Sequence, residues 1–264
     1  MKALILAAGK STRIASISKE KPKPLLEVAG MPVLAHNIKL LAQHGVHDIF
    51  INLHYQPQMI RAAIGDGSRW NARVRYSYEP EILGTAGAVK NLEKEFSGET
   101  FIVAYGDNFT DCNIGKMVAE HRQKKNGATI AVYDYTRAKH SGIIGGKIVC
   151  DTAKKVSSFV EGPMAAASES RYVNAGIYVL EPSVLSVIPP GFSDFGKDIF
   201  PKLLQQNQRL GIYEIEGYCL AIDNPEAYAN TQKFAQSLSD SKDISDPKGL
   251  LDPKDLFDSQ EKFL

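Results

Sequence analysis

The stretch LILAAGKSTRIASISKEKPKPLL, Leu4 to Leu26, decides how the rest of the chain is read. It begins inside a short apolar run, Lys2 to Ala8, of the kind that forms a strand buried on both faces. The run ends in Ala7, Ala8 and Gly9, whose small side chains let the backbone come close to a ligand. N–H groups exposed in such a turn form a concavity suited to anions. Arg13 adds a planar fork that matches phosphate, and Lys23 adds a compact charge on a backbone stiffened by Pro22 and Pro24. Taken singly, each of these residues also fits a plain strand-to-loop turn with solvated basic side chains. Gly9 to Pro24 has no apolar periodicity and reads as loop. Two familiar phosphate motifs fail here. Gly9-Lys10-Ser11 has the end of a P-loop, but the glycine required five residues earlier is Leu4, and Gly9 has no glycine two residues to either side, as a dinucleotide fingerprint needs.

Working outward, strands and helices alternate. Pro32 opens a helix with Leu34, Ile38 and Leu41 on one face, and Asp48 to Leu53 reads as a strand. A helix over Pro57 to Ile64, a strand over Arg73 to Tyr78 and a helix over Ala86 to Phe96 follow. Thr100 to Tyr105 and Ala128 to Asp134 are buried strands on either side of a helix over Ile114 to Lys125. This alternation predicts an α/β fold with a Rossmann-like, mostly parallel sheet and helices on both faces. Gly142 to Val149, Val156 to Val160 and Tyr172 to Leu180 predict a smaller antiparallel part. Pro225 to Leu238 is the last predicted helix, and 239–264 reads as a polar tail, mobile or docked through its Leu and Phe residues. One domain is expected over 1–238, with 1–135 and 136–224 as its two parts.

Composition narrows the class. The 264 residues are 44% hydrophobic and 23% charged, with a net charge of +1, an ordinary globule without broad attraction to nucleic acid or to an anionic membrane. No stretch reaches the roughly 20 apolar residues of a membrane span. The 3 cysteines, Cys112, Cys150 and Cys219, match no zinc or disulfide spacing, so reduced thiols and a cytoplasmic setting are expected. The 6 histidines form no compact ligand set and read as helix-surface or loop residues.

Leu6-Ala7-Ala8-Gly9 through Thr12-Arg13, followed by Lys21-Pro22-Lys23-Pro24-Leu25-Leu26, resembles the motif of the nucleotide-sugar pyrophosphorylase family, L-A-A-G-x-G-T-R and then P-K-P-L. Ser11 stands where that family has its second glycine. The resemblance extends to about residue 235. It implies transfer of a nucleotidyl group from a nucleoside triphosphate to a sugar 1-phosphate, with Mg²⁺ as cofactor. Leu6, Ala7, Ala8, Gly9, Ser11 and Thr12 would bind the nucleotide. Arg13 would hold the β- and γ-phosphates, and Lys23 would neutralise charge on the α-phosphate and sugar phosphate.

Five further segments continue the likeness. Glu79-Pro80-Glu81-Ile82-Leu83-Gly84-Thr85-Ala86-Gly87 is similar to the base-reading loop, with Glu79, Gly84 and Thr85 as contacts; the residues alone equally fit a helix start capped by Thr85. Gly106-Asp107-Asn108 is similar to the metal-binding G-D, with Tyr105 where Asn is usual. Phe159-Val160-Glu161-Gly162-Pro163 is similar to F-x-E-K-P, whose Glu reaches sugar hydroxyls, but Gly162 replaces the lysine; Lys147 and Lys197 are candidate substitutes. Asn174, in an N-x-G-I-Y strand, is a sugar contact or a core hydrogen-bonding residue. At the second metal position, one register points to Ala221 and another to Asp223, and Asp223 is the chosen ligand, the alternative being a cap for the last helix. The likeness is nearest to mannose and heptose 1-phosphate guanylyltransferases, which favours GTP. A cytidylyltransferase is the alternative, and a non-catalytic nucleotide-sugar sensor is the alternative of another class. The hexapeptide repeats of a β-helix domain are missing, and a homodimer is left open.

Overall fold

A computed structural model describes residues 1–10, 14–18, 21–137, 143, 145–161, 165 and 168–240. In chain order the strands are β1 (Lys2–Leu6), β2 (Glu27–Val28), β3 (Met31–Pro32), β4 (Asp48–Leu53), β5 (Arg73–Tyr78), β6 (Phe101–Tyr105) and β7 (Asn108–Thr110). They continue with β8 (Ala128–Asp134), β9 (Lys147–Cys150), β10 (Val156–Val160), β11 (Tyr172–Leu180), β12 (Leu210–Glu214) and β13 (Cys219–Ala221). The helices are α1 (Ala15–Ser18), α2 (Val33–Gln43), α3 (Pro57–Ile64), α4 (Gly84–Asn91), α5 (Glu93–Phe96), α6 (Ile114–Lys124), α7 (Phe200–Gln205) and α8 (Pro225–Asp240).

Strand β1 lies at the centre of a parallel block, β5–β4–β1–β6. Its alternating side chains feed two cores, because successive Cβ atoms point to opposite faces. Ala3 and Ile5 pack with Leu34, Ile38 and Ile60 of α2 and α3 and with Met117 of α6. Leu4 packs on the other face with Val89, Phe96 and Leu203 of α4, α5 and α7. The sheet continues beyond β6 through β11, which runs antiparallel to β6, β8 and β9. β10 pairs antiparallel with β9, and β12 pairs parallel with β8. The predicted α/β architecture, helices on both faces and a smaller antiparallel part, is therefore present, and both parts share one sheet. Among the described residues, no helix is long and apolar enough to cross a membrane.

A third apolar cluster positions the chemistry. Ile14, Leu26, Val28 and Val33 meet Phe109 and Leu220 of the β7–β13 ladder and Phe234 of α8. This cluster anchors the 21–26 segment against the last helix, whose first turn is capped by Asn224 Oδ1 accepting from Ala227 N at 2.9 Å.

Several sequence expectations need correction. Gly9 to Pro24 is not all loop: α1 and a 3₁₀ turn at Lys23–Leu25 interrupt it, because Ile14 and Leu25 are buried and the prolines favour a tight turn. The single helix expected over Ala86 to Phe96 breaks at Leu92, where φ is −106°. The last helix runs to Asp240, two residues past its expected end. His121 is not a surface residue. It is 1% exposed, with Nδ1 2.9 Å from Thr129 Oγ1 and Nε2 2.9 Å from Glu181 Oε1. β12, α7 and the β7–β13 ladder have no counterpart in the sequence reading; three-residue strands are too short to show a period.

Candidate active site

The carboxyl ends of β1, β4, β5 and β6 converge on one cleft of about 220 Å³, the place where ligands bind on open α/β sheets. Of the residues singled out in the sequence, Leu6, Ala8, Gly9, Glu79, Gly84, Thr85 and Asp107 line it. Ala7 lies behind the lining, 2% exposed. Ser11, Thr12, Arg13 and Gly162 lie outside the described residues.

The charged centre is built from three distant segments. Lys23 sits in the Lys23–Leu25 turn, 7% exposed, with Leu26 N donating to Lys23 O at 3.0 Å. Asp107 follows β6 and Asp223 follows β13. Because Asn108 pairs with Ala221 in the β7–β13 ladder, the two carboxylates emerge beside adjacent strands. Lys23 Nζ donates to Asp107 Oδ2 at 2.5 Å and also to Asp223 Oδ1. Burial works against the Lys23 charge, but the two carboxylates outweigh it and raise its pKa. Ala221 is fully buried in the ladder, so of the two registers weighed at this position it is Asp223 that reaches the charged centre.

Two carboxylates beside neighbouring strands fit Mg²⁺, a hard ion that commonly takes one or two carboxylates and completes its shell with water and substrate phosphate. Among the described residues no group of three His, Cys, Asp or Glu side chains could hold a metal. The donor set thus suits an ion completed by a ligand rather than one caged by protein.

A buried brace connects the strand ends. Ala7 N donates to Asn52 Oδ1 at 2.7 Å, and Asn52 Nδ2 donates to Glu79 Oε1 at 2.9 Å. Glu79 Oε2 accepts from Leu83 N at 3.1 Å. Glu79 is 1% exposed, so its carboxylate first serves to tie the turn after β1 to the loop after β5. Asn52 is absent from the sequence reading, although the signal was there: it is a polar residue at the carboxyl end of the otherwise apolar strand DIFINL.

The backbone of Gly84-Thr85-Ala86-Gly87 is held by the chain's own 191–194 segment, while Gly84 and Thr85 still line the cleft. Ala86 N and Gly87 N donate to Ser193 O at 3.0 and 3.2 Å. Thr85 Oγ1 donates to Asp194 Oδ2 at 2.9 Å and accepts from Phe195 N at 2.9 Å. Gly84 has φ +73°, and a Cβ there would strike Ser193 O. Asp194 and Tyr105 also line the cleft and were not assigned from sequence. No local pattern distinguishes Asp194 from an ordinary helix-capping Asp.

Glu161 and Asn174 do not line this cleft. Glu161 is half-buried against Gly196, and its carboxyl is raised first by burial and then by Asp194, with Lys197 acting against them. Asn174 is 5% exposed and bonded within the core: Oδ1 accepts from Gly176 N at 3.0 Å, and Nδ2 donates to Tyr178 Oη at 2.8 Å. Lys147 is engaged elsewhere, donating to Ser170 O at 3.0 Å and lying 3.5 Å from the Tyr135 ring centre. Lys197 is exposed and near enough to Glu161 to influence its ionisation.

The profile of the family described as nucleotidyl transferase matches residues 2–237. A UTP–glucose-1-phosphate uridylyltransferase from Synechocystis sp. is 36% identical over 77% of this chain and 55% of its own length. A mannose-1-phosphate guanyltransferase from Aspergillus fumigatus is 31% identical over 86% of this chain and 62% of its own. The chain therefore spans 55% and 62% of these two curated relatives. Among solved structures, HddC from Yersinia pseudotuberculosis complexed with GMP-PN superposes with a TM-score of 0.71 at 26% identity, covering 88% of this chain and 98% of that one.

Proposed function

Because the chain belongs to the nucleotidyl transferase family, we propose that it transfers a nucleotidyl group from a nucleoside triphosphate, GTP above others, to a sugar 1-phosphate, forming a nucleotide-sugar and pyrophosphate. The observation that carries this reading is the trio beside the cleft, Lys23 held by Asp223 and by Asp107, which lines it. An oxygen of the sugar phosphate forms the new bond to the α-phosphorus, and the bond from that phosphorus to the pyrophosphate oxygen breaks in line. The nucleophile is already ionised, so no general base is needed. The protein's work is alignment and neutralisation of phosphate oxygens.

Lys23 supplies a fixed positive charge beside the α-phosphate and the incoming sugar phosphate. Arg13 is assigned to the β- and γ-phosphates on the motif alone. Asp107 and Asp223 would hold Mg²⁺, which when bound neutralises phosphate charge and helps orient the triphosphate. The Asn52–Glu79 brace keeps the small-residue turn at Ala7 and Ala8 in register with the Gly84 loop, so phosphate and base contacts stay at a fixed separation.

GTP is favoured by the guanyltransferase relative and by the GMP-PN complex of HddC; the uridylyltransferase relative points the other way. The experiment is pyrophosphate release with GTP, CTP, UTP and TTP, each paired with mannose or glucose 1-phosphate. GTP with a hexose 1-phosphate should give the highest kcat/KM. Highest turnover with CTP would favour the cytidylyltransferase alternative. No turnover with any pair, together with tight binding of a nucleotide-sugar, would replace the enzyme with a sensor.

A further inference from the structure

We propose that Tyr105 selects the sugar of the sugar 1-phosphate by donating its phenolic hydrogen to one neutral sugar oxygen. This rests on the function proposed above and deepens it.

Gly176 N is a donor and points at the Asn174 side chain at 3.0 Å, so the atom it meets is the amide oxygen. The other amide atom, Nδ2, therefore faces Tyr178 and donates to its Oη at 2.8 Å. Tyr178 is fully buried, and its own hydrogen needs an acceptor. Tyr105 Oη, 3.3 Å away, takes it. The Tyr105 hydrogen is then turned away from Tyr178, and among the described residues no other group accepts it. Tyr105 is half-buried and lines the cleft, and in this reading its hydrogen goes to a ligand there.

The backbone is shaped for this ring. The pairing of β11 with β8 shifts register between Asn174 and Tyr178, and Gly176 inside the irregularity has φ +70°. A Cβ at Gly176 would lie 2.7 Å from Tyr105 Cγ, so the glycine makes room for the ring. Burial, then Tyr178, then Asp194 and Glu161, push the Tyr105 phenol well above its ordinary pKa, and it remains a donor.

The surroundings choose the ligand class. Asp194 shares the cleft, and both Asp194 and Glu161 bear electrostatically on the Tyr105 ring. Two carboxylates oppose an anionic oxygen at this point and favour a neutral hydroxyl. Such a hydroxyl can accept from Tyr105 and donate to a carboxylate, a pairing that a phosphate oxygen cannot make. The phosphate belongs at Lys23, and the polyol belongs at Tyr105.

The test compares wild type with Tyr105→Phe, which removes only the oxygen. With mannose 1-phosphate, KM for the sugar phosphate should rise about 3- to 10-fold while KM for GTP stays unchanged. Monodeoxy analogues of mannose 1-phosphate identify the oxygen: wild type should lose a similar factor with one of them, and Tyr105→Phe should lose nothing further with that one. Tyr178→Phe keeps the Tyr105 oxygen but cuts the relay, and should raise the same KM about 2-fold. An unchanged sugar KM in Tyr105→Phe overturns the proposal, as does a rise confined to GTP, which would place the contact on the ribose. If wild type turns over no substrate pair, the function proposed above fails. Calorimetric binding of mannose 1-phosphate to the two proteins then still decides Tyr105, an equal Kd overturning it.

Discussion

The parallel and antiparallel parts of the sheet handle polar groups in different ways. At the ends of β1, β4 and β5, Asn52 and Glu79 bond back to main-chain N–H groups, Ala7 at one end and Leu83 at the other. Those bonds fix the course of the backbone and leave small residues facing the cleft. On β11 the bonds form a side-chain chain, Asn174 to Tyr178 and Tyr178 to Tyr105 of β6, and across the cleft Thr85 bonds Asp194. The first arrangement suits a ligand whose phosphates are the same whatever the base. The second places a row of individually replaceable donors and acceptors, which suits discrimination between similar sugars. Charge divides the same way. Lys23 meets two carboxylates at the parallel end, whereas at the antiparallel end burial and then Asp194 make Glu161 harder to ionise.

The harshest way to break this comparison is Lys23→Met. If the parallel part supplies the charge chemistry, kcat should fall by about 10²- to 10³-fold, the usual loss when one fixed electrostatic partner is removed. The two carboxylates would also be left facing each other without their cation, so some loss of stability should accompany it. Steady-state kinetics beside a urea melt separates the two effects. A variant that melts like wild type and keeps a tenth or more of its kcat would remove Lys23 from the chemistry and with it the distinction between the halves.

A milder blow falls on the joint between the halves. The 191–194 segment comes late in the chain, yet it covers the Gly84 loop through Ser193 and Asp194. Gly84→Ala would force a side chain into a left-handed conformation and against the Ser193 carbonyl. A loss of about 2–4 kcal/mol is expected from strain and displacement together. KM for nucleotide and for sugar phosphate should both rise, because the moved segment carries Asp194. A rise in only one would show that the halves are less coupled than their bonding implies. Urea denaturation and initial rates measure both.

This division explains what the sequence made legible. Gly9 and Asp107 stand in short, dense motifs just past strand ends, where a parallel sheet already forms a site, and Lys23 stands in another dense motif between two prolines. Asp223 was chosen from two registers in the sequence, and its place beside Lys23 follows the pairing of a three-residue strand, too short to show a period, with β7. Tyr105 looked like a departure from a motif, and its role needs the β11 irregularity and two residues over 60 positions away. The covering of Gly84 by Ser193 was illegible for the same reason: no local pattern announces which distant carbonyl will approach a glycine.

The subtlest expected effect concerns pH and Glu161. Burial, then Asp194, raise its carboxyl pKa in the folded protein, and Lys197 offsets only part of this. For an acid whose folded pKa lies above the unfolded one, the stabilising share is complete below the unfolded value, about 4.3, and is lost as pH rises through the folded value. Glu161→Gln cannot ionise and so escapes that loss. The stability gap between Glu161→Gln and wild type should therefore shift in favour of the variant from about pH 4 to about pH 7, as read from urea midpoints at each pH. A gap that stays flat would mean that Glu161 is solvated like a surface carboxylate. A gap that moves toward wild type would mean that a cation, with Lys197 the nearest candidate, pairs with it after all. Either result would bring the antiparallel end closer in character to the Lys23 centre and weaken the contrast between a charge-paired half and a half that keeps its carboxylates for neutral hydroxyls.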